Sequence, residues 1–231
     1  MPDAPPPSVP PRPVQIPAGS VTLEGDLGLP EAARGIVLFA HGSGSSRFSE
    51  RNRFVAGELR NAGLGTLLID LLTAEEEAVD VRTREFRFDI PMLAERLVAL
   101  VDWLRGAEET HGLAVGLFGS STGAGAALIA AAERPGAVSA VVSRGGRPDL
   151  AAPRIPEVRA PTLLIVGGLD TAVIEMNQEA QALMRCSTEL RIVPGATHLF
   201  EEPGKLEEVA RLAREWFVEH LGRPAPAEAP E

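Results

Sequence analysis

Hydrophobic and polar positions trade places through Val21-Thr22-Leu23-Glu24-Gly25-Asp26-Leu27, the period of a strand with one wet face. The apolar runs that follow are short, unbroken and closed by turn residues: 35–40, 64–69, 113–118, 138–142, 162–166 and 189–193. Val, Leu and Ile dominate them, as they do in parallel strands covered on both faces. Between these runs the period changes. Leu93, Leu97, Leu100, Val101 and Leu104 recur at three- and four-residue spacing, and so do Leu206, Val209, Ala213, Trp216 and Phe217, each set forming one stripe of a helix. Weaker helical patterns cover about 50–62, 121–133 and 172–184. Strand and helix alternating with short connections predict an α/β protein with right-handed crossovers, built on a doubly wound, mostly parallel sheet of about eight strands.

Such a sheet gathers ligands beyond the carboxyl ends of its strands, so the residues directly after each run are the ones to examine for chemistry. After 113–118 comes Gly119-Ser120-Ser121-Thr122-Gly123, and then an alanine-rich helical stretch. This is G-x-S-x-G in a strand, turn, helix context, which exposes Ser121 at a tight turn facing a helix N-terminus. A serine hydroxyl needs a base. Of the four histidines, His111 precedes a strand and His220 lies in the last helix. His41 comes before the serine in sequence, whereas His198 follows the last strand run. His198 is therefore the expected base. An acid to orient it should follow a strand between the two, and Asp170 does; Asp149, beside Arg147, is the weaker alternative. The order Ser, Asp, His is the one this turn motif carries. The glycine-rich His41-Gly42-Ser43-Gly44 after the run 35–40 is expected to supply an oxyanion hole from the amides of Ser43 and Thr122, with His41 bracing the loop. Arg47, Arg144, His41 and Phe200 stand near enough to these stretches in the pattern to be candidate substrate contacts, the arginines holding a carboxylate or else pairing with local acids.

Composition trims the options. The formal charge of −10 over 231 residues disfavours nucleic acid or an anionic membrane surface as partner. Lys205 is the only lysine and tyrosine is absent, which removes a Schiff-base lysine, a Ser-Lys pair and a tyrosine acid/base. One cysteine, Cys186, allows no internal disulfide. No apolar h-region and no run of about 18 apolar residues is present, so a cytoplasmic location is expected. Proline-rich residues 1–12 and 222–231 read as loose ends around a single domain, 13–221. No metal or organic cofactor is implied, and nothing in the pattern specifies an oligomeric state.

The core, about 14–221 on this element reading, resembles the α/β-hydrolase superfamily in its dienelactone-hydrolase-like branch, including members fused to phosphoribosyltransferase domains. The matching stretches are His41-Gly-Ser-Gly-Ser-Ser-Arg47, Asp70-Leu-Leu-Thr73, Gly119-Ser-Ser-Thr-Gly123, Ser143-Arg-Gly-Gly146, Gly167-Gly-Leu-Asp170 and Thr197-His-Leu-Phe200. The resemblance implies the fold and a triad of Ser121, Asp170 and His198. It departs at the nucleophile, which is cysteine in dienelactone hydrolases proper and serine here, so dienelactone itself is not implied as substrate. The expectation is a serine hydrolase for a small ester, thioester or lactone, without a large lid. Its rivals are acyl transfer or perhydrolysis on the same triad, and a non-catalytic binding module.

Overall fold

The computed structural model describes residues 10–222. Eight strands form one sheet in the order β1-β2-β4-β3-β5-β6-β7-β8. They are β1 (Arg12–Ala18), β2 (Val21–Gly28), β3 (Ile36–Ala40), β4 (Gly65–Ile69), β5 (Val115–Ser120), β6 (Val138–Arg144), β7 (Thr162–Gly167) and β8 (Thr188–Val193). β1 and β2 run antiparallel at one edge, and β2 joins β4 antiparallel; from β4 to β8 every pairing is parallel. The apolar runs 36–40, 65–69 and 115–120 are buried throughout, because both faces carry helices.

On one face α1 (Glu50–Asn61) and α6 (Lys205–Leu221) cover Phe39, Phe118, Val142 and Ile165. The stripe read from the sequence of α6 does this: Val209, Ala213 and Phe217 are fully buried. The opposite face is closed by α3 (Ile90–Gly106), α4 (Thr122–Glu133), the 3-10 segment Pro148–Glu157 and α5 (Thr171–Leu183). Strand order reverses around β3, since the chain leaves β3 for β4 on one side and returns to β5 on the other. That reversal opens a crevice at the carboxyl ends of β3 and β5, where Ala40 and Gly119 lie side by side in register.

Two elements depart from the sequence reading. β1 begins at Arg12, inside the stretch expected to be loose; Pro13 and Pro17 obscured it, and both are tolerated because β1 is an edge strand. The other is α2 (Ala74–Thr83), where Glu75-Glu76-Glu77 was expected as a solvated run in a connection. Thr73 and Glu76 form a reciprocal capping box, and Glu76 takes both Nη groups of the buried Arg96 at 2.7 and 2.5 Å. The expected loose ends otherwise fall on residues 1–9 and 223–231, outside the described residues. No described helix is long and apolar enough to cross a membrane.

Candidate active site

Ser121 stands between β5 and α4 with φ 50° and ψ −121°, a conformation that costs a non-glycine residue about 1–3 kcal/mol unless its surroundings enforce it. They do so from both sides. The Ser121 N–H donates to the Arg144 carbonyl at 3.2 Å, and the Arg147 N–H donates to the Ser121 carbonyl at 3.1 Å. The flanking glycines admit the turn: a Cβ on Gly119 would lie 2.4 Å from the Ala124 Cα, and one on Gly123 would lie 2.4 Å from the Ala40 and His41 carbonyl oxygens. α4 starts at Thr122, so its first amides have no carbonyl partner within the helix and point their dipole toward Ser121.

Asp170 ends the β7 turn and caps α5; His198 lies on the loop between β8 and α6. Far apart in sequence, they meet: His198 Nδ1 and Asp170 Oδ2 are 2.6 Å apart. A carboxylate only accepts, so Nδ1 carries the proton and Nε2 is left with a lone pair. His198 is part-buried and its ring rests against Gly145, on which a Cβ would lie 3.4 Å from Nδ1 and Cε1. Asp149 instead pairs with Arg147, at 2.8 and 2.7 Å, and is no rival for the histidine.

The glycine-rich loop after β3 reaches the same crevice. A Cβ on Gly42 would lie 3.1 Å from that of Ser121. Ser43 does not keep the free amide expected of it, because its N–H donates to Thr122 Oγ1 at 2.8 Å; the bond ties the loop to the head of α4. His41 is a brace. The Leu71 N–H donates to its Nε2 at 3.0 Å, so the proton sits on Nδ1, 2.9 Å from the Gly42 carbonyl. Burial holds its pKa below the ordinary value, against the pull of the Gly42 carbonyl, Asp70 and Glu77. With its one lone pair occupied, this ring has no base to offer.

Two cavities adjoin the loop, and His41 lines both. A trough of about 630 Å3 runs past Thr22, Glu24, Ser45, Asp70 and Glu77. A recess of about 10 Å3, room for about one water, lies against Ser43, Thr122, Leu71, Leu72, Leu93 and Arg87. Arg47, a candidate substrate contact, is already committed: Asp70 takes its backbone N–H at 2.6 Å and its guanidinium as well, and Glu24 lies 2.8 Å from Nη2. Phe200, another candidate, is 1% exposed and packs in the core beneath α1 and α6; it is a core residue. Arg144 is buried at the end of β6, lines neither cavity, and leaves Nη1 without a partner among the described residues. Burial, aided by the nearby charge of Arg51, pulls its guanidinium down to about 10. Cys186 is part-buried, in the connection before β8. Among the described residues no group of three or more His, Cys, Asp or Glu side chains is arranged to hold a metal ion.

Comparison with known proteins adds the lineage. The sequence profile of the dienelactone hydrolase family matches residues 23–221. A crystal structure of a dienelactone hydrolase from Anabaena variabilis is 60% identical, covers 92% of this chain and 100% of its own, and superposes with a TM-score of 0.90. Est1E of Butyrivibrio proteoclasticus, at 16% identity, covers 91% of this chain and 99% of its own with a TM-score of 0.77, a likeness of fold. A Mycobacterium tuberculosis (strain H37Rv) protein provisionally named a phosphoribosyl transferase is 58% identical over 214 residues, 93% of this chain and 47% of its own length. The chain thus spans about half of the curated relatives it matches.

Proposed function

The chain belongs to the dienelactone hydrolase family of α/β-hydrolases, and from there we propose that it is a serine hydrolase of small esters, thioesters or lactones. Ser121 is the nucleophile, His198 the base and Asp170 the residue that orients the base. The observation that carries this reading is the 2.6 Å contact between His198 and Asp170. It leaves the imidazole lone pair on Nε2; the ring lies against Gly145, in the turn that hydrogen-bonds the strained Ser121 at the N-terminus of α4.

The reaction runs in two halves. As His198 Nε2 takes the Ser121 proton, Oγ attacks the acyl carbon; the imidazolium then protonates the leaving group, and an acyl-enzyme remains. Water, activated by the same imidazole, releases the acid. The Thr122 amide receives the oxyanion, and the Ser43 amide joins it by letting go of Thr122 Oγ1. The recess beside these amides has room for only about one water, too little for a long acyl chain, and short acyl groups are the expected substrates. The phosphoribosyl-transferase name belongs to proteins about twice as long as the stretch shared with this chain, so that activity is not assigned here.

The test is hydrolysis of p-nitrophenyl esters from acetate to decanoate, with wild type, Ser121→Ala and His198→Ala. Turnover should be greatest with acetate or propionate and fall by about three or more orders of magnitude in both variants. Undiminished turnover in Ser121→Ala would refute the reading. Methanol or peroxide outrunning water as acceptor would favour acyl transfer or perhydrolysis.

A further inference from the structure

One short turn touches the element of every residue assigned to the triad. We infer that the turn 144–147, after β6, is the template that holds nucleophile and base in register, with Gly145 as the positioning residue beneath the imidazole. The inference rests on the serine-hydrolase reading above and assigns a further part of its machinery.

The contacts form a closed set. Toward the nucleophile, the turn grips both peptide groups of Ser121, through the Arg144 carbonyl at 3.2 Å and the Arg147 amide at 3.1 Å. Toward the acid, the Gly145 N–H donates to the Ile165 carbonyl at 2.8 Å, on the strand that leads into Asp170. From α5, which Asp170 caps, the buried Asn177 donates its side-chain amide to the Gly146 carbonyl at 3.0 Å. Toward the base, Gly145 has φ +51°, and a Cβ there would lie 3.2 Å from the His198 carbonyl oxygen and 3.4 Å from Nδ1 and Cε1. Nδ1 is the atom bonded to Asp170.

Two demands therefore fall on Gly145. Its backbone is left-handed, which disfavours a side chain but which asparagine tolerates. Its missing Cβ leaves a flat seat for the imidazole. An added methyl group must press on the His198 carbonyl and meet the ring edge that holds the Asp170 bond. A displaced Nε2 is then misplaced for the Ser121 proton it takes in the proposed mechanism, and placement errors near 1 Å cost about 100-fold in rate.

Gly145→Ala and Gly145→Asn separate the two demands, because asparagine accepts the backbone while its larger side chain crowds the ring. With p-nitrophenyl acetate, kcat should fall about tenfold in Gly145→Ala and about 100-fold in Gly145→Asn, with KM nearly unchanged. The rate of fluorophosphonate labelling should fall in step, and the acidic limb of the kcat/KM profile should move. Wild-type kcat in both variants overturns the inference. So does a loss confined to melting temperature or KM, which would mark a merely structural glycine. If Gly145→Ala does not fold, Gly145→Asn decides alone. A wild-type enzyme that hydrolyses no ester would instead sink the hydrolase reading, and this inference with it.

Discussion

Arg144 ends β6 and Asp170 follows the neighbouring β7, and their surroundings assign them opposite energetic roles. Asp170 is held to His198 Nδ1 at 2.6 Å, so its carboxylate fixes the tautomer and, in the proposed mechanism, steadies the imidazolium. Asp170→Asn should keep the fold and lower kcat by about 10³–10⁴-fold with little change in KM, because the amide can stabilise the wrong tautomer. Steady-state kinetics on p-nitrophenyl acetate check this, and a loss under tenfold would contradict it. Arg144 has no acid partner among the described residues and is 7% exposed. A buried charge without a partner is a net cost, and an apolar residue of similar volume is often neutral or stabilising. Arg144→Met should therefore hold or raise the melting temperature, by up to about 4 °C for roughly 1 kcal/mol. A fall of more than that, seen by circular dichroism, would mean the guanidinium has a partner.

At the scale of elements, most of the α/β alternation was legible because each buried strand is an unbroken apolar run and each long helix keeps a stripe. The candidate residues were picked out for the same reason: Ser121, Asp170 and His198 each follow such a run, and β5, β7 and β8 run parallel in one sheet, so the three run ends lie on one side of it. β1 was not, since Pro13 and Pro17 hide an edge strand whose alternation is otherwise weak. α2 had a readable signal in Thr73-x-x-Glu76, the spacing of a capping box, which the run of three glutamates masked. The contacts of the 144–147 turn were beyond reach, because they depend on where distant loops fall. Glu76 also joins α2 to α3 through Arg96, whose side chain is 8% exposed. Glu76→Ala would strand that cation and open the cap, so it should destabilise by about 3 kcal/mol or more, while Glu76→Leu with Arg96→Met should recover most of the loss. Urea titration of the three proteins tests it, and equal losses in single and double variants would contradict it.

Across the whole molecule, acid should act in two stages. His41 is depressed below its ordinary 6.5, chiefly by burial. Its contribution is fully present above that value and drains as pH falls through it toward the folded value. Glu76 lies below its ordinary 4.5 through the Arg96 hydrogen bond. Asp80 lies below 3.8, its burial outweighed by hydrogen bonds from the Arg87 backbone and guanidinium and the Phe86 amide. The unfolded chain binds more protons at both, so their stabilisation is complete above about pH 4.5 and is lost as pH falls further. Melting temperature against pH should fall gently below pH 6.5 and steeply below about 4.5. His41→Gln should lack the first decline, and an unchanged profile in that variant would contradict the assignment.

The whole account depends on a nucleophilic Ser121, and a covalent probe reads that most directly. Incubation with a fluorophosphonate followed by tryptic digestion and mass spectrometry should find one adduct, on Ser121. His198→Ala should slow its formation by about 10²-fold or more, and Ser121→Ala should abolish it. An adduct on another residue, or none on a folded wild-type chain, would contradict the account.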